Sequence, residues 1–214
     1  MSTRRVIVFA RAPQPGRVKT RLISLLGEDG AAALHRRLVE QTLSTAVAVP
    51  GAAVEVHCTP DSSHEFFAAC AQRYDVRLRD QHGSDLGARM HHALCAATRE
   101  GDPAVLIGSD CPELKVAHLL NAFAALHRGC DAVIGPARDG GYYLIGLRRC
   151  ERRVFDEVAW GTATVFAVTR ERLRELGWQW HGLEELRDVD RPEDYALLER
   201  SGEGIAASGA PSGT

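Results

Sequence analysis

The chain has 214 residues, 45% of them hydrophobic, so it is long enough for one well-packed domain and too short for two ordinary domains with a linker. Its formal net charge of −2 provides no global excess of positive charge, which argues against nucleic acid as the main partner. Its apolar runs are too short for a signal peptide or a membrane span, so the sequence predicts a cytoplasmic protein without a membrane span.

The distribution of small residues and of cysteines predicts further features. A single domain is expected over residues 1–200, and residues 201–214, rich in Gly, Ala and Ser, are expected to form a flexible tail. Six cysteines are scattered without a CxxC pair, which is typical of reduced, buried thiols. The adjacent pair His91 and His92 lies in no HExxH or Cys/His zinc spacing, so no zinc site is predicted.

From residue 5 to about residue 135, buried strands alternate with amphipathic helices. Several of the strand candidates are apolar on successive residues, as expected of strands that are covered on both faces. This alternation predicts βαβ units with right-handed crossovers, and therefore a mainly parallel sheet between two layers of helices. The strand candidates are residues 5–10, 53–58, 75–80, 104–108 and 131–135, and the helical stripes lie at 34–46, 86–97 and 119–126.

The regular alternation of strands and helices ends after residue 135. The run "DGGYYLIGL" (139–147) is β-rich and enters through two glycines without a preceding helix, which predicts an added antiparallel strand. A helix is expected near residues 164–176, and Pro192 suits the first turn of a last helix. The whole pattern predicts an α/β, three-layer sandwich whose ligands lie outside the carboxyl ends of the parallel strands.

The segment "ARAPQPGRVKTRL" (10–22) follows the first strand and concentrates positive charge. Its prolines stiffen the loop, and Gly16 permits a backbone conformation that other residues resist. A helix expected near Lys19 would direct free backbone N–H groups at a ligand. This combination suits a diphosphate, although a solvated basic turn explains it equally well. The basic residues are Arg11, Arg17, Lys19 and Arg21.

Two acidic segments are candidates for a metal site. In "IGSDCPEL" (107–114), Asp110 follows a buried strand and is a plausible anchor for a hard divalent cation, although Ser109 or Asp110 could instead cap a helix. In "DVDRPED" (188–194), one of the aspartates could complete a two-carboxylate site with Asp110. Helix capping is again the alternative, because Asp190 precedes a proline and a glutamate.

Two further segments could contact substrates. In "DQHGSDLGARM" (80–90), Gln81 offers a donor and an acceptor for a nucleobase edge, although Ser84 or Asp85 could simply cap a helix. In "ARDGGYYLIG" (137–146), Asp139 could bind a sugar hydroxyl or act as a general base beside a wall of tyrosine rings. A tight turn with core tyrosines is the alternative.

Taken in order, five segments resemble a known family. The segments "FARAPQPGRVKTRL", "QHGSDLGARM", "IGSDCPEL", "DGGYYLIGL" and "WGTATVF" are similar to the radical-SAM/selenodomain-associated transferases, small bacterial GT-A-fold proteins of which some are called arsenosugar-biosynthesis glycosyltransferases. The similarity spans roughly residues 4–199. The wider superfamily is the nucleotide-diphospho-sugar transferases, which include glycosyltransferases and nucleotidylyltransferases.

The resemblance implies a GT-A-like fold, a nucleotide held by the first loop and the Gln81 segment, and Mg²⁺ or Mn²⁺ held by Asp110. The similarity of "DVDRPED" to a D-x-P-E-D ending implies Asp190 as the second metal ligand. Two features depart from the family pattern: prolines replace most glycines of the first loop, and the DxD signature is reduced to "SDC". The nucleotide-binding residues implied are Ala10, Arg11, Gly16, Lys19, Arg21, Gln81, Gly87 and Asp110.

The acceptor side is implied in the same way. Lys19 and Asp139 are the expected catalytic residues, and the acceptor-binding set is Asp139, Gly140, Gly141, Tyr142 and Trp160. The predicted function is a metal-dependent glycosyltransferase with a nucleotide-diphosphate sugar donor and a small-molecule acceptor. One alternative is a nucleotidylyltransferase that joins an NTP to a phosphorylated metabolite and releases pyrophosphate, and another is a non-catalytic nucleotide-binding module.

Overall fold

A computed structural model describes residues 4–99 and 101–200, so the predicted tail at 201–214 lies outside the described residues. Seven strands form one sheet: β1 (Arg4–Arg11), β2 (Ala52–Thr59), β3 (Arg77–Asp80), β4 (Ala104–Ile107), β5 (Ala132–Pro136), β6 (Tyr142–Leu147) and β7 (Trp180–Gly182). Their order across the sheet is β3-β2-β1-β4-β6-β5-β7.

The sheet is mainly parallel, with one strand reversed. Strand β1 pairs in parallel with β2 and β4, β2 pairs in parallel with β3, and β5 pairs in parallel with β7. Strand β6 is antiparallel to both β4 and β5, because a short turn leads from β5 directly into it. The predicted α/β fold with an added antiparallel strand is confirmed.

Within the described residues, six α-helices cover the sheet, and helix α2 and strand β7 were not predicted. The helical stripes correspond to three of the helices, and the later predictions at 164–176 and Pro192 to two more. Helix α2 has an amphipathic pattern, with Phe66, Phe67 and Cys70 buried, that the sequence analysis did not assign, whereas strand β7 has only three residues. No helix in the described part of the chain has the length and apolar character needed to cross a membrane. The helices are α1 (Ile23–Val47), α2 (Glu65–Tyr74), α3 (Leu86–Thr98), α4 (Val116–His127), α5 (Val165–Glu175) and α6 (Pro192–Arg200).

Each face of the sheet has its own hydrophobic core, as a three-layer sandwich requires. Side chains alternate along β1, so Val6 and Val8 belong to one cluster while Ile7 and Phe9 belong to the other. Helices α1, α2 and α4 supply the first cluster, and α3 and α5 supply the second. The central strands are therefore buried on both faces. Polar residues that could bind a ligand can lie only at the ends of these strands.

The expectation of six reduced cysteines is wrong for two of them. Cys95 on α3 and Cys150 after β6 form a disulfide, with their Cα atoms 5.0 Å apart and a sequence separation of 55. The fold brings these residues together, and no local spacing signals such a contact. Free thiols remain at Cys58, Cys70, Cys111 and Cys130.

Candidate active site

A cavity of about 270 Å³ opens at the edge of the sheet where β1 and β4 end. Strand β6 begins at the same edge because it runs in the opposite direction to β4. Three carboxylates line the cavity: Asp110 after β4, Asp139 in the turn before β6 and Asp188 in the segment before α6. Four aromatic residues also line it, among them Tyr142 and Trp160. The fold therefore collects residues from four distant parts of the sequence.

A second, more polar cleft of about 390 Å³ adjoins this cavity. The two share Asp139 and Asp188 as lining residues, and the cleft adds Arg21 and Asp190. The cavity and the cleft form one continuous depression along the carboxyl edge of the sheet, which is where open α/β folds bind their ligands.

Lys19 connects three of the segments that line this edge. Its backbone adopts the left-handed conformation (φ 48°), and only 3% of its side chain is exposed. The Nζ atom lies 2.6 Å from Asp110 Oδ1 and donates a hydrogen bond of 2.7 Å to the carbonyl of Val189. Because the Val189 N–H also donates to the Asp110 carbonyl, at 2.9 Å, the first loop, the end of β4 and residues 188–190 are held as one unit.

Arg21 forms the second ion pair at this edge, with Asp190. The two cations that the sequence analysis assigned to phosphates thus pair with the two aspartates that it assigned to a metal. The structure brings this predicted set together, while the roles assigned to its members stay predictions. The short 3₁₀ turn Thr20–Leu22 begins directly after Lys19, close to the predicted helix start.

His35 on α1 is a buried polar residue at this site that the sequence analysis did not identify. Its Nε2 atom lies 3.0 Å from the carbonyl of Arg11 and must donate to it, and its Nδ1 atom lies 3.7 Å from Asp110 Oδ1. Burial lowers the pKa of His35 and outweighs the opposing effect of Asp110. The available signal was a histidine on the apolar stripe of α1, beside Leu34.

Two carboxyl groups in the cavity have opposite electrostatic environments. Burial tends to raise the pKa of Asp110, but the positive charge of Lys19, with His35 and Arg11, outweighs burial and holds this pKa below its usual range. Half of the Asp110 side chain is still exposed, on the side of the cavity. Burial and the negative charges of Asp139 and Asp110 instead raise the pKa of Asp188 to about 6. The ionised form is therefore favoured at Asp110 and disfavoured at Asp188.

The turn before β6 fixes Asp139. The backbone N–H of Gly141 donates to Asp139 Oδ1 at 2.8 Å, and the Gly140 carbonyl accepts from the Phe166 N–H at 2.8 Å. Gly140 has φ +88°, and a Cβ there would lie 2.2 Å from the carbonyl oxygen of Ala163. Only glycine fits this conformation and this close approach. The Asp-Gly-Gly sequence is thus a tight turn that also presents a carboxylate to the cavity.

An aromatic wall closes one side of the cavity. The rings of Tyr142 and Trp160 meet edge to face, with centroids 6.4 Å apart, and the Tyr142 hydroxyl lies 4.0 Å from the sulfur of Met90. Gly87 lies beneath the indole, where a Cβ would be 2.6 Å from its ring. Tyr143 is buried instead, and its hydroxyl donates to the carbonyl of Glu184 at 3.2 Å.

Replacing Gly87 by alanine is expected to displace the Trp160 ring, because the new methyl group would overlap it. Overpacking of this kind costs roughly 1–3 kcal/mol. We expect a lower thermal midpoint and a changed tryptophan emission spectrum. Gly108→Ala is the matched control, because Gly108 lines the same cavity and a Cβ added there would meet no atom within 4 Å. Identical stability and emission in Gly87→Ala and the wild type would refute this packing.

The remaining predicted nucleotide-binding residues lie on the β1 side of the edge. Ala10 is buried in β1, Arg11 is exposed at its end, and Gly16 has φ +73° in the following loop. Gln81 directly follows β3, and its Nε2 atom donates to the carbonyl of His57 at 2.8 Å. Because β2 separates β3 from β1, Gln81 does not line the 270 Å³ cavity. Its role toward a nucleobase stays a prediction.

Comparisons with known proteins agree with this fold. A family model described as "Uncharacterized protein conserved in bacteria (DUF2064)" matches residues 42–162. A provisionally named nucleotide-diphospho-sugar transferase from Desulfovibrio desulfuricans G20 has a solved structure that is 34% identical in sequence, with a TM-score of 0.86 over 96% of this chain and 90% of that chain. No protein among the curated sequences matches this chain at a significant level.

Two more distant solved structures share the fold alone. The 4-diphosphocytidyl-2C-methyl-D-erythritol synthase of Anaerococcus prevotii DSM 20548 is 13% identical, with a TM-score of 0.62 over 94% of this chain and 99% of that chain. The glucosyl-3-phosphoglycerate synthase of Mycobacterium tuberculosis, solved with Mn²⁺, UDP and glucosyl-3-phosphoglycerate, is 16% identical, with a TM-score of 0.53 over 94% of this chain and 80% of that chain.

These similarities bear out the predicted superfamily, while the narrower resemblance to radical-SAM/selenodomain-associated and arsenosugar-biosynthesis proteins stays a prediction. The structural match to the D. desulfuricans protein extends over nearly the whole chain. The chain belongs to the DUF2064 family and has the fold of the nucleotide-diphospho-sugar transferases.

Proposed function

We propose that this protein is a metal-dependent glycosyltransferase that uses a nucleotide-diphosphate sugar and a small-molecule acceptor. The observation that carries the proposal is the cavity at the carboxyl edge, where Asp110, Asp139 and Asp188 meet the aromatic wall beside the buried Lys19. The similarity to the nucleotide-diphospho-sugar transferase of D. desulfuricans supports a nucleotide-using transferase. The aromatic rings favour a sugar as the transferred or accepting group, because sugar rings have apolar faces that pack on aromatic side chains.

The residues of the cavity fit a hard divalent cation, Mg²⁺ or Mn²⁺. Asp110 and Asp188 line the same cavity, and burial together with the negative charges of Asp139 and Asp110 raises the pKa of Asp188, so a cation there would stabilise its ionised form. Among the described residues, no three carboxylates at this cavity have oxygens within 4.8 Å of one another. The ion would therefore take one or two carboxylates, with substrate phosphates supplying further oxygen ligands.

Asp188 is our choice for the carboxylate that joins Asp110. The sequence analysis predicted Asp190, which forms an ion pair with Arg21 and lines the adjoining cleft. Asp188 lines both the cavity and the cleft. The two assignments can be separated by comparing Asp188→Asn with Asp190→Asn for the metal dependence of nucleotide binding.

Several residues of the protein would each have a separate role in the transfer reaction. Lys19 holds the carboxylate of Asp110 in place, and Arg21 lies where the cleft can receive a phosphate. A bound divalent cation would neutralise charge that develops on the departing diphosphate. Asp139, fixed at one oxygen by the Gly141 N–H, would accept the proton of the attacking acceptor hydroxyl if the anomeric centre is inverted.

Product analysis tests the proposal. The purified protein is first screened by thermal shift against nucleotides and nucleotide sugars with Mg²⁺ or Mn²⁺, because a bound ligand raises apparent stability. The stabilising compounds are then incubated with candidate acceptors. Release of a nucleoside diphosphate from a nucleotide sugar is expected. Release of pyrophosphate from an NTP would show nucleotidyl transfer and reject the proposal, and nucleotide binding without turnover would favour the non-catalytic alternative.

A further inference from the structure

His91, Cys95 and Cys150 form a compact cluster away from the candidate active site. His91 and Cys95 lie one helical turn apart on the same face of α3, and Cys150 follows β6. Their ligand atoms all lie within 4.8 Å of one another, and all three residues are half-buried. Within residues 4–99 and 101–200, no other group of three His, Cys, Asp or Glu side chains meets this distance.

We propose that these three residues bind one Zn²⁺ ion when the Cys95–Cys150 disulfide is reduced. Thiolate sulfur and imidazole nitrogen are typical zinc ligands, and three protein ligands leave the fourth tetrahedral position for water. Ideal Zn–S and Zn–N bonds place the sulfur and nitrogen of a tetrahedral site roughly 3.6 Å apart. The Cys95 Sγ and His91 Nε2 atoms are 3.2 Å apart, within a few tenths of an ångström of that separation.

The residues around the cluster include two arginines paired elsewhere and one aromatic ring. The two arginines that precede Cys150 are turned toward Asp131, with Nη2 atoms of Arg148 and Arg149 at 2.8 and 3.6 Å from its Oδ1. The His91 ring packs edge to face against Phe155, with centroids 6.2 Å apart, which gives the site an apolar side. Arg148 and Arg149 therefore already have a carboxylate partner, and a bound cation would neutralise two thiolates formed here.

The disulfide and the metal exclude each other, because the thiolate is the form of cysteine that binds metal. A dithiol can reduce the Cys95–Cys150 bond: it supplies two electrons and two protons and is itself oxidised to a disulfide. The two thiols then each release a proton to solvent as Zn²⁺ binds. Local sequence spacing predicts no zinc site, because Cys150 lies 55 positions after Cys95 and only the fold brings it to His91 and Cys95.

The site would link two elements that form the cavity wall. Helix α3 carries Gly87 and Met90 in its first turns, and Cys150 begins the segment that leads to Trp160. Reduced protein without metal would lose the cross-link between these elements, whereas either the disulfide or Zn²⁺ would keep them together. The inference does not depend on the proposed transferase activity, and its test does not measure turnover.

Cobalt provides the test, since Co²⁺ occupies zinc sites and gives a near-ultraviolet charge-transfer band when thiolates bind it. The chain is reduced with a phosphine, freed of reductant without oxygen, and titrated with Co²⁺. We expect the thiolate band and the visible bands of tetrahedral Co²⁺ to saturate at one equivalent and to disappear on addition of Zn²⁺. The oxidised chain should show neither. Carboxylate sites such as Asp110 cannot produce the thiolate band.

Variants identify the ligands. The thiolate band should vanish in the double variant Cys95→Ser with Cys150→Ser and remain in Cys130→Ser, which removes a half-buried thiol outside the cluster. His91→Gln should weaken Co²⁺ binding at least tenfold. Circular dichroism checks that each variant is folded, and the comparison of oxidised with reduced wild type needs no variant. Absence of the band in the reduced wild type, or its persistence in the double variant, would overturn the proposal.

Discussion

Replacing Asp110 by asparagine is expected to remove the divalent-metal dependence of nucleotide binding and to lower turnover by about 100-fold or more. A bound cation contributes several kcal/mol of transition-state stabilisation, and each 1.36 kcal/mol is about tenfold in rate. Asparagine keeps the shape of the side chain and an oxygen that can accept from Lys19, so the fold should survive. The buried ammonium loses its counter-ion, which should cost on the order of 1–3 kcal/mol of stability because Asp110 is half exposed.

The measurement is nucleotide affinity with and without Mg²⁺ or Mn²⁺, followed by turnover of the nucleotide sugar found by product analysis. Asp190→Asn is the matched control, since it also removes a carboxylate from an ion pair at this edge, that of Arg21. We expect Asp190→Asn to retain most of the metal dependence. If Asp110→Asn binds nucleotide with unchanged metal dependence, Asp110 does not hold the ion. If Asp190→Asn alone loses it, the sequence-based assignment of Asp190 is the correct one.

Replacing Asp188 by asparagine is expected to stabilise the ligand-free protein at neutral pH while it impairs turnover. Burial and the negative charges of Asp139 and Asp110 disfavour the ionised form of Asp188, and its pKa rises to about 6. At pH 7 the folded protein therefore bears a penalty on the order of 1–3 kcal/mol, which the neutral amide removes. Stability gained by removing a functional charge is typical of active sites.

The raised pKa of Asp188 sets the direction in which the stability of the folded protein changes with pH. A carboxyl group with a raised pKa in the folded state contributes stability when protonated, and this contribution is lost as pH rises from the unfolded value of 3.8 through about 6. The stability advantage of Asp188→Asn over the wild type should thus be full above about pH 7 and shrink toward zero near pH 4. Urea unfolding in the presence of a chelator, at several pH values, measures this difference.

Asp85→Asn is a suitable control, because Asp85 is an exposed residue that caps α3 through the N–H of Ala88. Asparagine caps a helix as well as aspartate does, so this variant should show no comparable gain at pH 7. If Asp188→Asn is less stable than the wild type at pH 7, or equally stable at every pH, the folded state does not disfavour the ionised form of Asp188.

Local patterns in the sequence predict much of this fold. Unbroken apolar runs such as residues 104–108 identify strands that are buried on both faces, because only a covered strand can be apolar on every residue. The two glycines before Tyr142 identify the turn into the reversed strand. Strand β7 was missed because it has only three residues and is held by its pairing with β5 rather than by any pattern of its own. Helix α2 was missed although Phe66, Phe67 and Cys70 give it an amphipathic pattern.

The sequence also placed Asp110 at the carboxyl edge of the sheet, because a residue that directly follows a buried parallel strand must project there. Together with the family resemblance, which implied Asp190, it grouped Lys19, Arg21 and Asp110 into one site, and the structure brings these four together as two ion pairs. Each of these residues follows a strand or precedes a helix within a few positions, so their place in the fold is a local property of the chain.

Tertiary structure alone decided which side chains meet. Lys19 pairs with Asp110 across 91 positions of sequence, His35 turns from α1 toward the same carboxylate, and Cys95 reaches Cys150. These contacts depend on strand order, helix rotation and the approach of loops, none of which has a periodicity in the sequence. The electrostatic difference between Asp110 and Asp188 has the same origin, because a pKa responds to burial and to neighbouring charges that only the folded chain supplies.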